Sequence, residues 1–296
     1  FKTLFALKGL IKKHSIDIVN THSGKDTWVG GLAAKFSGAK FIRTRHLSNR
    51  IRSSRTNFIN ELADYIFTTG ESVRTDMIEY NRINPEKIQS VPTGINANIF
   101  DPNKYDKETC RKQFNLQLDE FVIGMVAVLR QFKRHDLFLQ SAKRIVDQYP
   151  GKKIKFIIAG DGPRREVIKG QIKKLGLQNF VVMLGYVEMV PELLSTLDIF
   201  ILTSDSKEGV PQSVIQALMM GKAVVATDAG STKDLLDNNF ILVNSKVDDI
   251  SDALISLISD IKFRNTISES ARKSVLNSFS IDIMVNKIMK VYNKLL

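Results

Sequence analysis

Cysteine is almost absent from this chain: 296 residues hold one, Cys110. No internal disulfide can form, and the composition fits a reducing compartment. With one cysteine and four scattered histidines, a Cys/His metal cage is also excluded. Long hydrophobic runs are missing too. The longest, Phe121 to Leu129, is nine residues, far short of a bilayer span. Neither a Walker A sequence nor a Gly-x-Ser-x-Gly elbow occurs. Gly160-x-Gly162 lacks the third glycine of a dinucleotide fingerprint and the acid at the ribose distance.

What is present describes a folded protein, 43% hydrophobic and 25% charged. Its length suits two domains. The net charge of +12 is uneven: residues 1–100 hold 15 Lys and Arg against 8 acids, the remainder 28 against 23. Arg43, Arg45, Arg50, Arg52 and Arg55 crowd beside His46. That cluster suits an anionic partner or an acidic membrane face, and reads equally well as a solvated surface. It lacks the interleaved aromatics of a nucleic-acid binder.

Strand and helix patterns alternate throughout. Strands are expected at 16–19, 40–44, 66–69, 88–91, 121–128, 154–159, 181–184, 199–202 and 223–227, with helices between them. Pro92-Thr93-Gly94 and the polar stretch to Lys107 read as a linker. The expectation is an α/β protein of two doubly wound domains facing a cleft. In such sheets ligands sit at the carboxyl ends of strands, so the loops there carry the chemistry.

The most informative loop is Ser204 to Gly221, S-D-S-K-E-G-V-P-Q-S-V-I-Q-A-L-M-M-G, after the apolar run Ile199–Leu202. Glu208 sits at its turn, and Gly209, Val210 and Pro211 lead into a helix. Free amides at a helix start favour phosphates and hydroxyls. A carboxylate there suits chemistry or a grip on a polyol. Arg130 and Lys133, past the strand at 121–128, are two cations three apart, suited to a diphosphate.

Taken together, L-R-Q-F-K (129–133), A-G-D-G-P (159–163), L-G-Y-V (184–187), the 204–230 segment and V-P-T-G-I-N (91–96) resemble the family-4 glycosyltransferases, retaining enzymes of the GT-B fold. The resemblance implies an N-terminal acceptor-side domain at 1–98, a C-terminal donor-binding domain at 99–278, and a helix at 279–296 packing back on the first domain. It also implies that the family's first strand and glycine-rich loop precede Phe1. The implied activity is sugar transfer from a nucleotide-diphosphate donor to an acceptor hydroxyl, in cell-surface glycan or glycolipid synthesis.

By the same resemblance, Arg130 and Lys133 bind the diphosphate leaving group. Glu208 and His46 contact the donor sugar. Gly209, Val210, Pro211, Tyr186 and Val187 line the donor. Position 216, an acid on the ribose hydroxyls in the family, is Gln216 here, a neutral partner for a diol. No cofactor is implied, and no metal either: no two aspartates are separated by one residue, as the metal-dependent class of glycosyltransferases requires. The expected partners are a nucleotide sugar and a glycan or glycolipid acceptor, anionic if the arginine cluster serves it, with no nucleic acid. The expected location is cytoplasmic, with peripheral contact at the inner face of the plasma membrane left open. A hydrolysing epimerase on the same fold and an inactive nucleotide-sugar binder remain as alternatives.

Overall fold

Each strand in this protein runs parallel to its neighbours, as alternating strand–helix units require. The computed structural model describes residues 2–46, 50–51, 55–205, 208–235 and 240–296, without the side chains of 55–57. Two units result, 1–94 with 281–296, and 95–280.

The first unit contains α1 (Lys2–Lys13), β1 (Ile18–Thr21), α2 (Gly24–Ser37), β2 (Lys40–Arg45), β3 (Tyr65–Thr68), α3 (Glu71–Glu79) and β4 (Ile88–Ser90). Its four strands lie in the order β1-β2-β3-β4. Successive strand residues face opposite sides. Phe41 and Ile66 therefore pack with Ala33 and Ala34 of α2 and Met77 of α3, while Ile42 and Phe67 face the other way. A capping box starts α2: Asp26 N donates to Ser23 Oγ, and Ser23 N to Asp26 Oδ1.

The second unit contains α4 (Lys107–Gln113), β5 (Phe121–Val126), α5 (His135–Gln148), β6 (Ile154–Ala159), α6 (Arg165–Lys174), β7 (Val181–Gly185), α7 (Val190–Thr196), β8 (Ile199–Leu202), α8 (Gln212–Met219), β9 (Ala223–Thr227), β10 (Ile241–Val243), α9 (Val247–Ser259) and α10 (Ile261–Phe279). Every residue of β8 and β9 is buried, as expected of central strands covered on both faces. The sheet order is β10-β9-β8-β5-β6-β7. Strands therefore progress outward in both directions from the β8–β5 pair. This is the doubly wound order, and its switch point lies between β5 and β8.

The chain returns to the first unit through α11 (Ile281–Leu295). Val291 of α11 is buried against Ile42 and Phe67, with Met284, Ile288 and Tyr292 beside it. The division falls at 94/95 and 280/281 rather than 98/99 and 278/279. The reason is local: Ile95 N donates to Phe279 O at 2.8 Å, and Ile95 and Phe100 enter the second core. The polar stretch after Gly94 is thus part of the second unit and leads into α4, capped by Asp106. Among the described residues no helix is long and apolar enough to cross a membrane.

Candidate functional site

Two loops leave the switch point of the second sheet, one after β5 and one after β8. Past β5 the backbone bends at Leu129, where Arg130 N donates to Val128 O at 2.8 Å, makes a 3-10 turn at Gln131–Lys133, and passes through Arg134 in the left-handed region at φ +48° before α5 begins. Thr203, just past β8, fastens this turn. Its hydroxyl lies 3.0 Å from the Lys133 carbonyl and 2.9 Å from that of Arg134. Asp205 N also donates to Phe132 O at 2.7 Å.

The result is a buried ion pair. Lys133 Nζ lies 2.5 Å from Glu208 Oε2, and the residues are 8% and 7% exposed. Isolated charges would not tolerate such burial, so each residue offsets the cost of burying the other. Arg130 is exposed and forms no ion pair among the described residues. Ser231 N, past β9, donates to Glu208 O at 3.2 Å. Gly230 permits that approach, because a Cβ there would lie 1.7 Å from Glu208 O.

Past Glu208, Gly209 and Val210 are half-buried and Pro211 caps α8. No side chain caps this helix; Val214 N donates to Pro211 O at 3.1 Å, and the Gln212 and Ser213 amides make no hydrogen bond among the described residues, so they can meet an anion or a hydroxyl. Gln216 is half-buried one turn further along. Ser206 and Lys207 lie outside the described residues.

The Gly-Asp-Gly-Pro turn after β6 supports the first loop from beside it. Leu129 N donates to Asp161 O at 3.0 Å, and Arg164 N to Leu129 O at 3.1 Å. A Cβ at Gly160 would meet Ala127 O at 2.0 Å. The glycine there allows close packing of two backbones. Tyr186, 79% exposed, and half-buried Val187 follow β7, two strands from β5, and share no hydrogen bond with Lys133 or Glu208.

His135, first in α5, is 3% exposed with Nε2 unpartnered. Burial first, then the Lys133 charge, pushes its pKa down from 6.5 to about 4. The unfolded chain takes up this proton near pH 6.5 and the folded protein only near 4. Stability contributed by neutral His135 is therefore present above pH 6.5 and lost as pH falls toward 4, by about 3 kcal/mol. Urea unfolding across that window should show a steeper fall for the native chain than for His135→Leu. Equal slopes would refute this role.

In the first unit, His46 follows β2 and His22 follows β1. His22 Nδ1 and His46 Nε2 are 2.9 Å apart, and the rings stack with centroids 5.2 Å apart at 21°. Burial first, and then His22, lowers the His46 pKa. Sequence spacing gave no sign of His22, because the two histidines meet only through β1–β2 pairing. The signal that could have found it is its position directly after a strand, which it shares with His46.

The arginine cluster divides. Arg43 is buried and donates to the Thr27 hydroxyl, and burial lowers its pKa to about 10. Arg50 grips Asp76 at 3.1 Å and lies over the Tyr80 ring at 3.9 Å. Arg45 is half-buried. Arg52 and the side chain of Arg55 lie outside the described residues.

Residues 106–274 match the model of the glycosyl transferases group 1, and residues 1–99 that of Glycosyltransferase Family 4. The UDP-Gal:alpha-D-GlcNAc-diphosphoundecaprenol alpha-1,3-galactosyltransferase of Escherichia coli is 25% identical over 306 residues, covering 98% of this chain and 79% of its own length. A glycosyltransferase from Rickettsia africae superposes with a TM-score of 0.90 at 23% identity, covering 99% of this chain and 80% of that one. HepE of Anabaena, solved in complex with UDP and glucose, gives a TM-score of 0.83 at 21% identity, over 98% of this chain and 81% of its own. The structural likenesses establish the GT-B fold.

Proposed function

Because the chain belongs to the glycosyl transferases group 1, and is a glycosyltransferase of GT-B fold, we propose that it transfers a hexose from a uridine diphosphate donor to an acceptor hydroxyl with retention of configuration. The observation that carries this reading is the buried Lys133–Glu208 pair at the switch point of the second sheet. Lys133 and the unpaired Arg130 take up charge on the departing diphosphate, an electrostatic task. The incoming diphosphate competes with Glu208 for Lys133, releasing the carboxylate toward the sugar. Amides at the start of α8 receive the phosphate and sugar oxygens, and Gln216 bonds the ribose diol as a neutral partner. His46 is assigned to the donor sugar on resemblance. Tyr186 and Val187 are assigned to the donor on resemblance alone.

The donor class is supported by HepE's complex with UDP and glucose, and by the UDP-Gal donor in the name of the Escherichia coli relative. That relative's lipid-diphosphate-linked acceptor supports a glycolipid acceptor in cell-surface glycan synthesis. Such an acceptor is anionic and brings the enzyme to the inner face of the plasma membrane. The decisive experiment incubates the protein with labelled UDP-sugars and a lipid-diphosphate-linked sugar. Transfer with an α-anomeric product supports the proposal. Release of free sugar alone supports an epimerase or hydrolase, and binding without turnover supports an inactive binder.

The chemistry assigned to Arg130 and Lys133 makes a divalent ion unnecessary. Transfer is expected to persist undiminished in excess EDTA. A loss restored by Mg²⁺ or Mn²⁺ would contradict that assignment.

A further inference from the structure

We propose that His22 is a positioning residue for His46, coupling the tautomer of His46 to its own through a hydrogen bond between the two rings. The inference rests on the reading of His46 as the group that meets the donor sugar. It starts from the 2.9 Å contact between His22 Nδ1 and His46 Nε2. A hydrogen bond between two ring nitrogens needs one proton and one lone pair. If His46 Nε2 donates, its Nδ1 is a bare acceptor. If His22 Nδ1 donates, His46 must carry its own proton on Nδ1. Either way the state of one histidine fixes the outer nitrogen of the other. Protonating both rings would place two cations and two facing N–H groups at one contact, which the pair forbids.

The surroundings hold this geometry. The β1–β2 register sets Thr21 beside Arg43, and each histidine stands one residue past its strand. Asp26, in the first turn of α2, accepts from His22 N at 3.0 Å and Ser23 N at 2.6 Å, fixing the His22 backbone. Thr69, past β3, places its hydroxyl 3.4 Å from His46 O. The titratable group acting on His46 is His22; the Asp26 carboxylate of α2 accepts from the His22 and Ser23 backbones, Arg43 of β2 is spent on Thr27, and Glu71, which opens α3, on Arg74. Among the described residues, no hydrogen bond is made by His46 Nδ1 or His22 Nε2. These are the two nitrogens left for substrate.

The test uses His22→Ala, His22→Asn and His46→Ala in the full chain, read by transfer rate against pH and by imidazole NMR. In His22→Ala the His46 titration should move up, and the acid limb of kcat with it. kcat at neutral pH should fall about tenfold or more with little change in donor KM. Asn, which offers an amide where Nδ1 stood, should restore most of the rate. If His46→Ala is inactive while His22→Ala keeps the native kcat, acid limb and His46 titration, the inference is overturned and the reading of His46 survives. Full activity in His46→Ala overturns the reading of His46, and this inference with it.

Discussion

Lys133→Ala should lower transfer by roughly 10²–10³-fold, the typical cost of removing one group that stabilises developing negative charge. The same change leaves the Glu208 carboxyl, 7% exposed in the native chain, without its partner. Breaking a buried pair from one side costs about 3–5 kcal/mol. Lost rate in this variant alone could then reflect lost fold. The double variant Lys133→Ala/Glu208→Ala separates the two effects, because removing both charges relieves the unpaired carboxylate. Its stability in urea should recover toward the native value while transfer stays low. Lys133→Arg keeps the charge, but its planar fork is larger than an ammonium in this packed site, so partial activity is expected. Near-native turnover in Lys133→Ala, measured at saturating donor, would remove Lys133 from the chemistry and leave it as a partner of Glu208 only.

That pair shows where sequence reasoning succeeds and where it stops. Ile154–Ala159 and Ile199–Leu202 were legible as strands because buried parallel strands are apolar on both faces, and the structure gives the same limits. α4, just past the polar stretch, showed no period because it is seven residues long and one of its two buried members, Arg111, is polar. Its guanidinium is spent on the carbonyls of Gln117, Leu118, Glu120 and Thr196 and on the Asp198 carboxylate, satisfaction that no periodicity shows. β10 is three residues long and α7 seven, both too short to display a period. Lys133 and Glu208 were each singled out by their place past a strand and given roles by resemblance, but their contact spans 75 positions and follows from the strand order. The arginine cluster divides for a different reason. A sequence counts charges without their partners, and Arg43 and Arg50 are committed to Thr27 and Asp76 within the protein.

Gly230→Ala is expected to cost both stability and activity, and Gly221→Ala supplies the control. The two glycines have similar backbones, φ +54° and +64°, so each alanine pays a similar conformational cost of about 1 kcal/mol. Only their surroundings differ. At Gly221 the nearest atom to a new Cβ is Arg272 Cδ at 3.6 Å, ordinary contact with a flexible side chain. At Gly230 the Cβ would stand 1.7 Å from Glu208 O and 2.8 Å from Glu208 C, both backbone atoms. Relief requires moving the loop past β9 or Glu208 itself, and either breaks the bond from Ser231 N to Glu208 O. A shift of Glu208 also opens the Lys133 pair. Gly221→Ala should therefore lose about 1 kcal/mol and keep its rate, since Gly221 precedes β9 at the opposite end of the sheet from the site. Gly230→Ala should lose about 3 kcal/mol or more, a range typical of overpacking, and transfer at least tenfold more slowly. Equal stability losses in the two variants, with native turnover in both, would show that the loop accommodates a Cβ and that Glu208 is not held by this contact.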